Sequence, residues 1–187
     1  MVPAPSLVQP LYSKQLNTAQ RAYRFVNLIP DSREDQASPV WARAFTTLAR
    51  GTAGDEDKAL LLCGLFRGLQ LPAFVCVGQT GTGAGFVCVT VIFGVKVQIY
   101  YKEEIYYFKQ QPDGLYALED YTNNYPESDT LDVFDIARVD CLFNDLDVFA
   151  NLQSYAQPVR LVDGQLHSIS FNLTRPSLWK RLQPDLL

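Results

Sequence analysis

Between residues 51 and 78 the chain reads GTAGDEDKALLLCGLFRGLQLPAFVCVG. The apolar positions there do not form a stripe. Ala59, Leu60, Leu61, Leu62, Cys63, Leu65, Phe66 and Leu69 cover nearly every face of a helix, which predicts a buried helix rather than a half-exposed one. Gly51 and Gly54 break whatever precedes it. Asp55, Glu56 and Asp57 put carboxylates in its first turn, where free N–H groups and the helix dipole favour negative charge. Leu71-Pro72 ends it, because the residue before a proline is pushed out of the α region. The apolar, β-branched run over residues 73–77 then predicts a strand inside a sheet.

Upstream, the pattern has a helical period. Over residues 13–29, Leu16, Ala19, Tyr23, Val26 and Leu28 form a stripe, with Ser13 as the predicted N-cap and Pro30 as the stop. Residues 31–37 are a polar loop. Ser38-Pro39 opens a second predicted helix, serine as cap and proline in the first turn, with Trp41, Ala44, Phe45 and Leu48 as its apolar face. Ahead of both, Pro3, Pro5 and Pro10 mark residues 1–12 as an extended arm or linker. Residues 13–187 are expected to form a single domain.

Downstream, the period shortens to that of strands. The glycine-rich stretch GQTGTGAG, residues 78–85, joins two β-like runs. Residues 86–101 are rich in Val, Ile, Phe and Tyr, broken only at Gly94. Residues 102–104 turn the chain, 105–109 return it, and Asp113-Gly114 signals a hairpin into 115–118. An antiparallel meander follows, with Tyr100, Tyr101, Tyr106 and Tyr107 expected on its outer part. From Glu119 to Asp147 carboxylates dominate, with Arg138 the lone cation, yet Leu131, Val133, Phe134, Ile136 and Val139 mark the segment as folded. Residues 142–152 predict a strand end and a short helix. Residues 159–162 and 166–173 predict a hairpin turning at Asp163-Gly164, and residues 175–180 a closing helix anchored by Trp179.

Composition narrows the function classes. At 187 residues and 48% hydrophobic content the chain suits one domain with an ample core. A net charge of −4 is the wrong sign for a general nucleic-acid binder. No apolar run approaches the ~20 residues that span a bilayer. Cys63, Cys76, Cys88 and Cys141 lie inside apolar runs without CxxC spacing. With His167 as the single histidine, neither a metal site nor a cofactor is expected. Buried free thiols point to a reducing, intracellular setting. GQTGTGAG lacks the lysine and the following helix of a phosphate loop.

The central stretch resembles the transglutaminase-like, papain-related superfamily at Gly54, Ala59, Leu61, Leu62, Phe66-Arg67-Gly68-Leu69 and Leu71-Pro72-Ala73. Its run from Gly54 to Cys63, with Ala73 to Gly78, is most similar to the centrosomal and ciliary branch of that superfamily. Ala22-Tyr23-Arg24-Phe25-Val26 and Trp41 resemble its preceding helices. Cys141-Leu142-Phe143-Asn144 and Trp179-Lys180-Arg181 resemble its closing segments, so the resemblance spans most of residues 20–182. It implies an α+β fold of N-terminal helices and a buried central helix packed on an antiparallel, partly barrel-like sheet. It also implies residence in the cytoplasm at a centrosome or centriole, basal body or cilium.

Active members of such a superfamily need a cysteine at the central helix N-terminus, a histidine from a following strand and a carboxylate to orient it. On the resemblance, the cysteine position is Asp55 here. The histidine position falls on Phe86 or its neighbours Gly85 and Val87, and the third on Glu119 or Asp120. The expectation is therefore a catalytically inactive domain that binds a protein or peptide in a groove made by Asp55, Glu56, Lys58, Phe86, Glu119 and Asp120. Tubulin tails and scaffold proteins of the centriole or cilium are the implied ligands. Arg21, Arg24, Arg43, Arg50, Lys58 and Arg67 are candidates for a basic patch that an acidic tail would require. The alternative is an active cysteine hydrolase or acyltransferase with a rearranged Cys88 and His167 pair.

Overall fold

In the computed structural model the central helix, α3, runs Asp55–Gly68, preceded by α1 over Ala19–Asn27 and α2 over Ala44–Arg50. The structure describes residues 7–32, 40–80, 82–112, 116–123 and 136–151, and four two-residue strands between 161 and 174. α3 is buried on all sides, as its pattern requires: every residue from Ala59 to Phe66 is inaccessible to solvent or nearly so. Its last turn closes where expected, with the Leu71 N–H donating to the Phe66 carbonyl ahead of Pro72.

The first two helices are shorter than the sequence pattern predicts. α1 begins at Ala19 because Thr18, in extended conformation, accepts the Arg21 N–H on its hydroxyl. Residues 13–16 make only one turn, the Leu16 N–H donating to the Ser13 carbonyl. α2 begins at Ala44, not at residue 39, and its inward face is only half the expected one: Trp41 and Ala44 pack on the core as expected, Phe45 and Leu48 do not. Phe45 is 77% exposed and Leu48 42%, while Ala44 and Thr47 are buried. The cause is local. Thr47 satisfies its hydroxyl on the Arg43 carbonyl, and the Ala42 N–H is held by the Asp57 carboxylate of α3 at 2.7 Å. That anchor fixes which side of the short α2 meets the core.

The described part of the N-terminal arm is packed along α3. Val8 is buried, and the Leu11 N–H donates to the Gly64 carbonyl at 2.9 Å. A Cβ at Gly64 would lie 2.5 Å from the Gln9 carbonyl oxygen, and one at Gly68 only 1.8 Å from that of Leu11. Backbone meets backbone there, and glycine alone permits it.

The strands are β1 Ala73–Thr80, β2 Gly85–Phe93, β3 Lys96–Tyr101, β4 Glu104–Gln110, β5 Tyr116–Asn123, β6 Ile136–Phe143 and β7 Val148–Asn151. Short pieces follow: β8 Leu161–Val162, β9 Gln165–Leu166, β10 Ser168–Ile169 and β11 Leu173–Thr174. Nine form one sheet in the order β10-β5-β4-β3-β2-β1-β6-β7-β11, and β8 pairs β9 separately. Every pairing is antiparallel. The α+β class and the meander are as expected, and the described pairings run from one open edge to the other.

Among the described residues 142–151 the expected helix does not form, because Asn144 builds a tight turn instead. Its side-chain oxygen accepts the N–H groups of Leu146 and Asp147, and its amide donates to the Ala73 carbonyl. The chain therefore returns directly as β7. The β8–β9 hairpin falls at the predicted turn, whereas Asp113-Gly114 and the closing helix over 175–180 lie outside the described residues.

The sheet has two apolar faces. Val75, Val89, Val91 and Tyr100 face α3, joining Leu61 and Phe66. Cys76, Phe86, Cys88, Ile99, Phe108 and Leu142 form a second cluster. Tyr100 and Tyr106 were expected on the outer part of the meander, yet both are buried. Tyr100 packs edge-to-face on Phe66 and on Tyr23 of α1, with ring centroids 4.8 and 5.2 Å apart.

Candidate functional site

The acidic first turn of α3 divides into separate tasks. Gly54 stands at the N-cap with no side chain to give. Asp57 is buried and structural: one carboxylate oxygen accepts the Ala42 N–H and the other lies 3.7 Å from the Arg50 guanidinium. Glu56 is exposed. Asp55 is also exposed and lies at a cleft between α1, α3 and the edges of β2 and β3.

That cleft measures about 50 Å³. Its floor is apolar, made by Val26, Ala59, Leu62, Val87 and Val89, and its polar rim by Asn27, Asp55, Lys58, Tyr101 and Lys102. The space suits a few water molecules or one small aliphatic group. Lys58 already has a partner, with its ammonium 2.5 Å from Asp31 Oδ1. Lys102 is exposed and sits in the β3–β4 turn with a left-handed backbone, φ +50°. Its ammonium lies 5.4 Å from the centre of the Tyr101 ring.

Tyr23 holds that turn from α1. Its hydroxyl donates to the Lys102 carbonyl at 2.6 Å and shares the bond with the Glu104 carbonyl at 3.0 Å. Burial pushes the Tyr23 hydroxyl pKa well up, and that of Tyr100 up to about 12. Both phenols stay neutral donors across any physiological pH. Tyr101 is raised too, again by burial first.

Of the residues expected at the groove, the cleft brings together Asp55 and Lys58. Phe86 is on the opposite face of β2, buried in the second cluster and edge-to-face with Tyr101 at 6.1 Å. Side chains alternate along a strand, so Val87 is the neighbour of position 86 that faces Asp55's cleft. Glu119 is exposed on β5 and pairs with Lys109 at 3.7 Å. β3 and β4 separate its strand from β2. Asp120 follows it in β5, opposite Tyr107, and its side chain lies outside the described set. Tyr23 and Lys102 also line the cleft and were not singled out as site residues in the sequence, whereas Val87 was named there only as a neighbour of Phe86, and Cys88 of the alternative pair lines the cleft too. Alternation separates Val87 from Phe86 only once the facing of β2 is known, because both parities of that strand are apolar.

Cys63, Cys76 and Cys141 are held toward the neutral thiol. Cys63 is buried in mid-helix, and burial pushes its pKa well up. Cys76 is raised well above its usual value by its contact with the Cys88 thiol and by burial. Burial brings Cys141 up to about 11. A reactive cysteine needs the opposite shift. Cys88 faces Cys76 across β1 and β2 and lies 4.0 Å from the Thr90 hydroxyl. His167 is outside the described residues. No group of three or more His, Cys, Asp or Glu is arranged for a metal among the described residues, nor is any helix long and apolar enough to cross a membrane.

Three of the six residues expected in a basic patch are answered by neighbouring carboxylates. Arg50 faces Asp57, Lys58 binds Asp31, and Arg67 Nε donates to Asp145 at 2.6 Å. Arg21 donates to the Asn17 side chain, and Arg24 and Arg43 are exposed.

Comparison with known proteins gives a family. Residues 39–182 match the model of the CEP76 peptidase-like domain. Centrosomal protein of 76 kDa from Mus musculus is 30% identical over 200 residues, which take in 99% of this chain and 27% of that protein. Protein CC2D2B from Homo sapiens is 24% identical over 165 residues, 86% of this chain and 10% of that one. Among solved structures, Legionella pneumophila LapG (EGTA-treated) superposes with a TM-score of 0.44 at 11% identity, over 82% of this chain and 74% of that one. The chain thus spans about a quarter of the length of the mouse protein it matches. Since the family match runs through most of the sequence, from ahead of α2 to beyond β11, the chain belongs to the CEP76 peptidase-like domain family.

Proposed function

We propose that this domain is a catalytically inactive peptidase-like module that binds peptide segments of other proteins in a centrosomal, centriolar or ciliary scaffold. The observation that supports this reading is the make-up of the cleft at the start of α3, which is lined by Asp55 and Val87, the residues that the family resemblance sets at or beside the nucleophile and base positions. A carboxylate is stable at a helix N-terminus, but it does not supply a thiolate. A valine moves no proton. What is left is a small apolar pocket with a charged rim, suited to one side chain of an extended peptide and too small for a typical metabolite.

The names of its relatives, a centrosomal protein among them, support residence at the centrosome or cilium. Acidic tubulin tails are the less favoured ligand. The rim carries Asp55 beside Lys58 and Lys102, and Lys58 is already bound to Asp31, so the basic groove such a tail needs has little support. The rival reading, a hydrolase or acyltransferase using Cys88 and His167, puts its nucleophile in a buried strand paired with another thiol, and although Cys88 lines the cleft, the first turn of α3 there carries Asp55 and no thiol.

Reaction with iodoacetamide across pH 5–9, on native and denatured protein, tests inactivity. All native thiols are expected to react at least about tenfold more slowly near neutrality than the denatured ones, because the thiolate is the reacting species. A native thiol that alkylates fast, with an apparent pKa well under the ~8.5 of free cysteine, overturns the reading.

A further inference from the structure

We infer that the cleft reads a short extended peptide in which a small aliphatic residue is flanked by one acidic and one basic side chain, the acidic one meeting Lys102 and the basic one Asp55. This rests on the peptide-binding reading and names its ligand class.

The argument begins with charge. Four ion pairs occur among the described residues, and neither Asp55 nor Lys102 takes part in one. Both are exposed, both line the same small cleft, and they come from different elements, the first turn of α3 and the β3–β4 turn. The third charge on the rim, Lys58, is neutralised by Asp31. A site left with one anion and one cation that do not meet is complementary to a ligand carrying the same two charges in reverse order. Such complementarity selects partners and fixes their register.

Lys102 is also held in place at a cost. A left-handed backbone at a residue other than glycine is strained and persists only where its surroundings impose it. Here the Tyr23 hydroxyl grips the carbonyls on both sides of the turn, and Tyr23 is itself packed edge-to-face on Tyr100. The direction in which Lys102 leaves the turn is therefore set by the core. Between the two charges, Ala59, Leu62 and Val87 offer about 50 Å³ of apolar space, enough for the side chain of alanine or valine and too little for an aromatic ring.

The test is selection from a random heptapeptide phage library on the full 187-residue chain, followed by fluorescence anisotropy with synthetic copies of the selected peptides. The expected sequences place Ala or Val between an acidic and a basic residue. K102E is expected to weaken them about tenfold, and exchanging the acidic residue of the peptide for lysine to restore binding to K102E. D55K is expected to behave reciprocally. Both positions are exposed, so each variant is expected to stay folded, with the melt of K102E little changed and that of D55K slightly lowered by a cation at the helix N-terminus. Binders that lack the charge pair, or that are indifferent to K102E and D55K, overturn this inference and leave the peptide-binding reading standing. A library that yields no binder overturns both.

Discussion

The two ends of α3 belong to one helix and are built on different terms. At the C-terminal end, Gly64 and Gly68 admit the backbone of residues 9–11, and Arg67 ties the helix to Asp145 and to the Leu71 carbonyl. Little space is left between the partners. At the N-terminal end the first turn is half open, with Asp57 turned inward to hold α2 while Asp55 faces a solvent cleft. The first arrangement makes the helix a fixed post. The second leaves one wall of a small pocket on the same rigid support, which is how precise sites are positioned.

The contrast breaks hardest at Gly68. A methyl group there would stand 1.8 Å from the Leu11 carbonyl oxygen, so either the arm lifts off or the helix shifts. Gly68→Ala is expected to lose about 1–3 kcal/mol in urea unfolding, the range of an overpacked core. The same change in a chain lacking residues 1–12 is expected to cost little, since the clash has gone and alanine favours the helix. Equal losses with and without the arm would mean that the seat on α3 does not stabilise the fold.

Asp57 comes next. Asp57→Ala leaves the Ala42 N–H buried without an acceptor and removes the anion beside Arg50. A loss of about 2–3 kcal/mol is expected, as for a buried donor stripped of a charged partner. Asp57→Asn keeps an acceptor and is expected to recover about half of it. If alanine and asparagine cost the same, the hydrogen bond is not what matters, and the charge opposite Arg50 is.

How much of this was legible follows from the kind of signal each element carries. α3 could be read closely because glycine, three carboxylates, an unbroken apolar run and Leu71-Pro72 all agree on its ends. β2 showed its strand character but not its facing. FVCVTVIF is apolar at both parities, since one side packs on α3 and the other on the second cluster, and no alternation told Phe86 from Val87. In α2 the more apolar side chains, Phe45 and Leu48, drew half of the prediction to the wrong face. The buried place went to Thr47, whose hydroxyl is satisfied by its own helix. The site was half visible. Asp55 and Lys58 come with the helix, whereas Lys102 reaches the cleft through a bond from Tyr23, 79 residues earlier. Such a contact has no local sequence trace.

Asp55 supplies the smallest effect and the sharpest use of the comparison. It lies two residues from Asp57 in the same acidic turn, yet no hydrogen bond or ion pair holds it among the described residues. What Asp55→Ala removes from the fold is then only an exposed charge near a helix N-terminus, worth about 0.3–1 kcal/mol and reduced by salt. Unfolding midpoints in low and high salt should therefore separate the two carboxylates. The Asp55→Ala loss shrinks as salt rises, and the Asp57→Ala loss persists because its hydrogen bond is buried. A loss of 2 kcal/mol or more at Asp55, insensitive to salt, would make it a structural residue and leave the cleft without its free anion. A small, screened loss fits a carboxylate that the fold does not use, which is the condition for its use by a ligand.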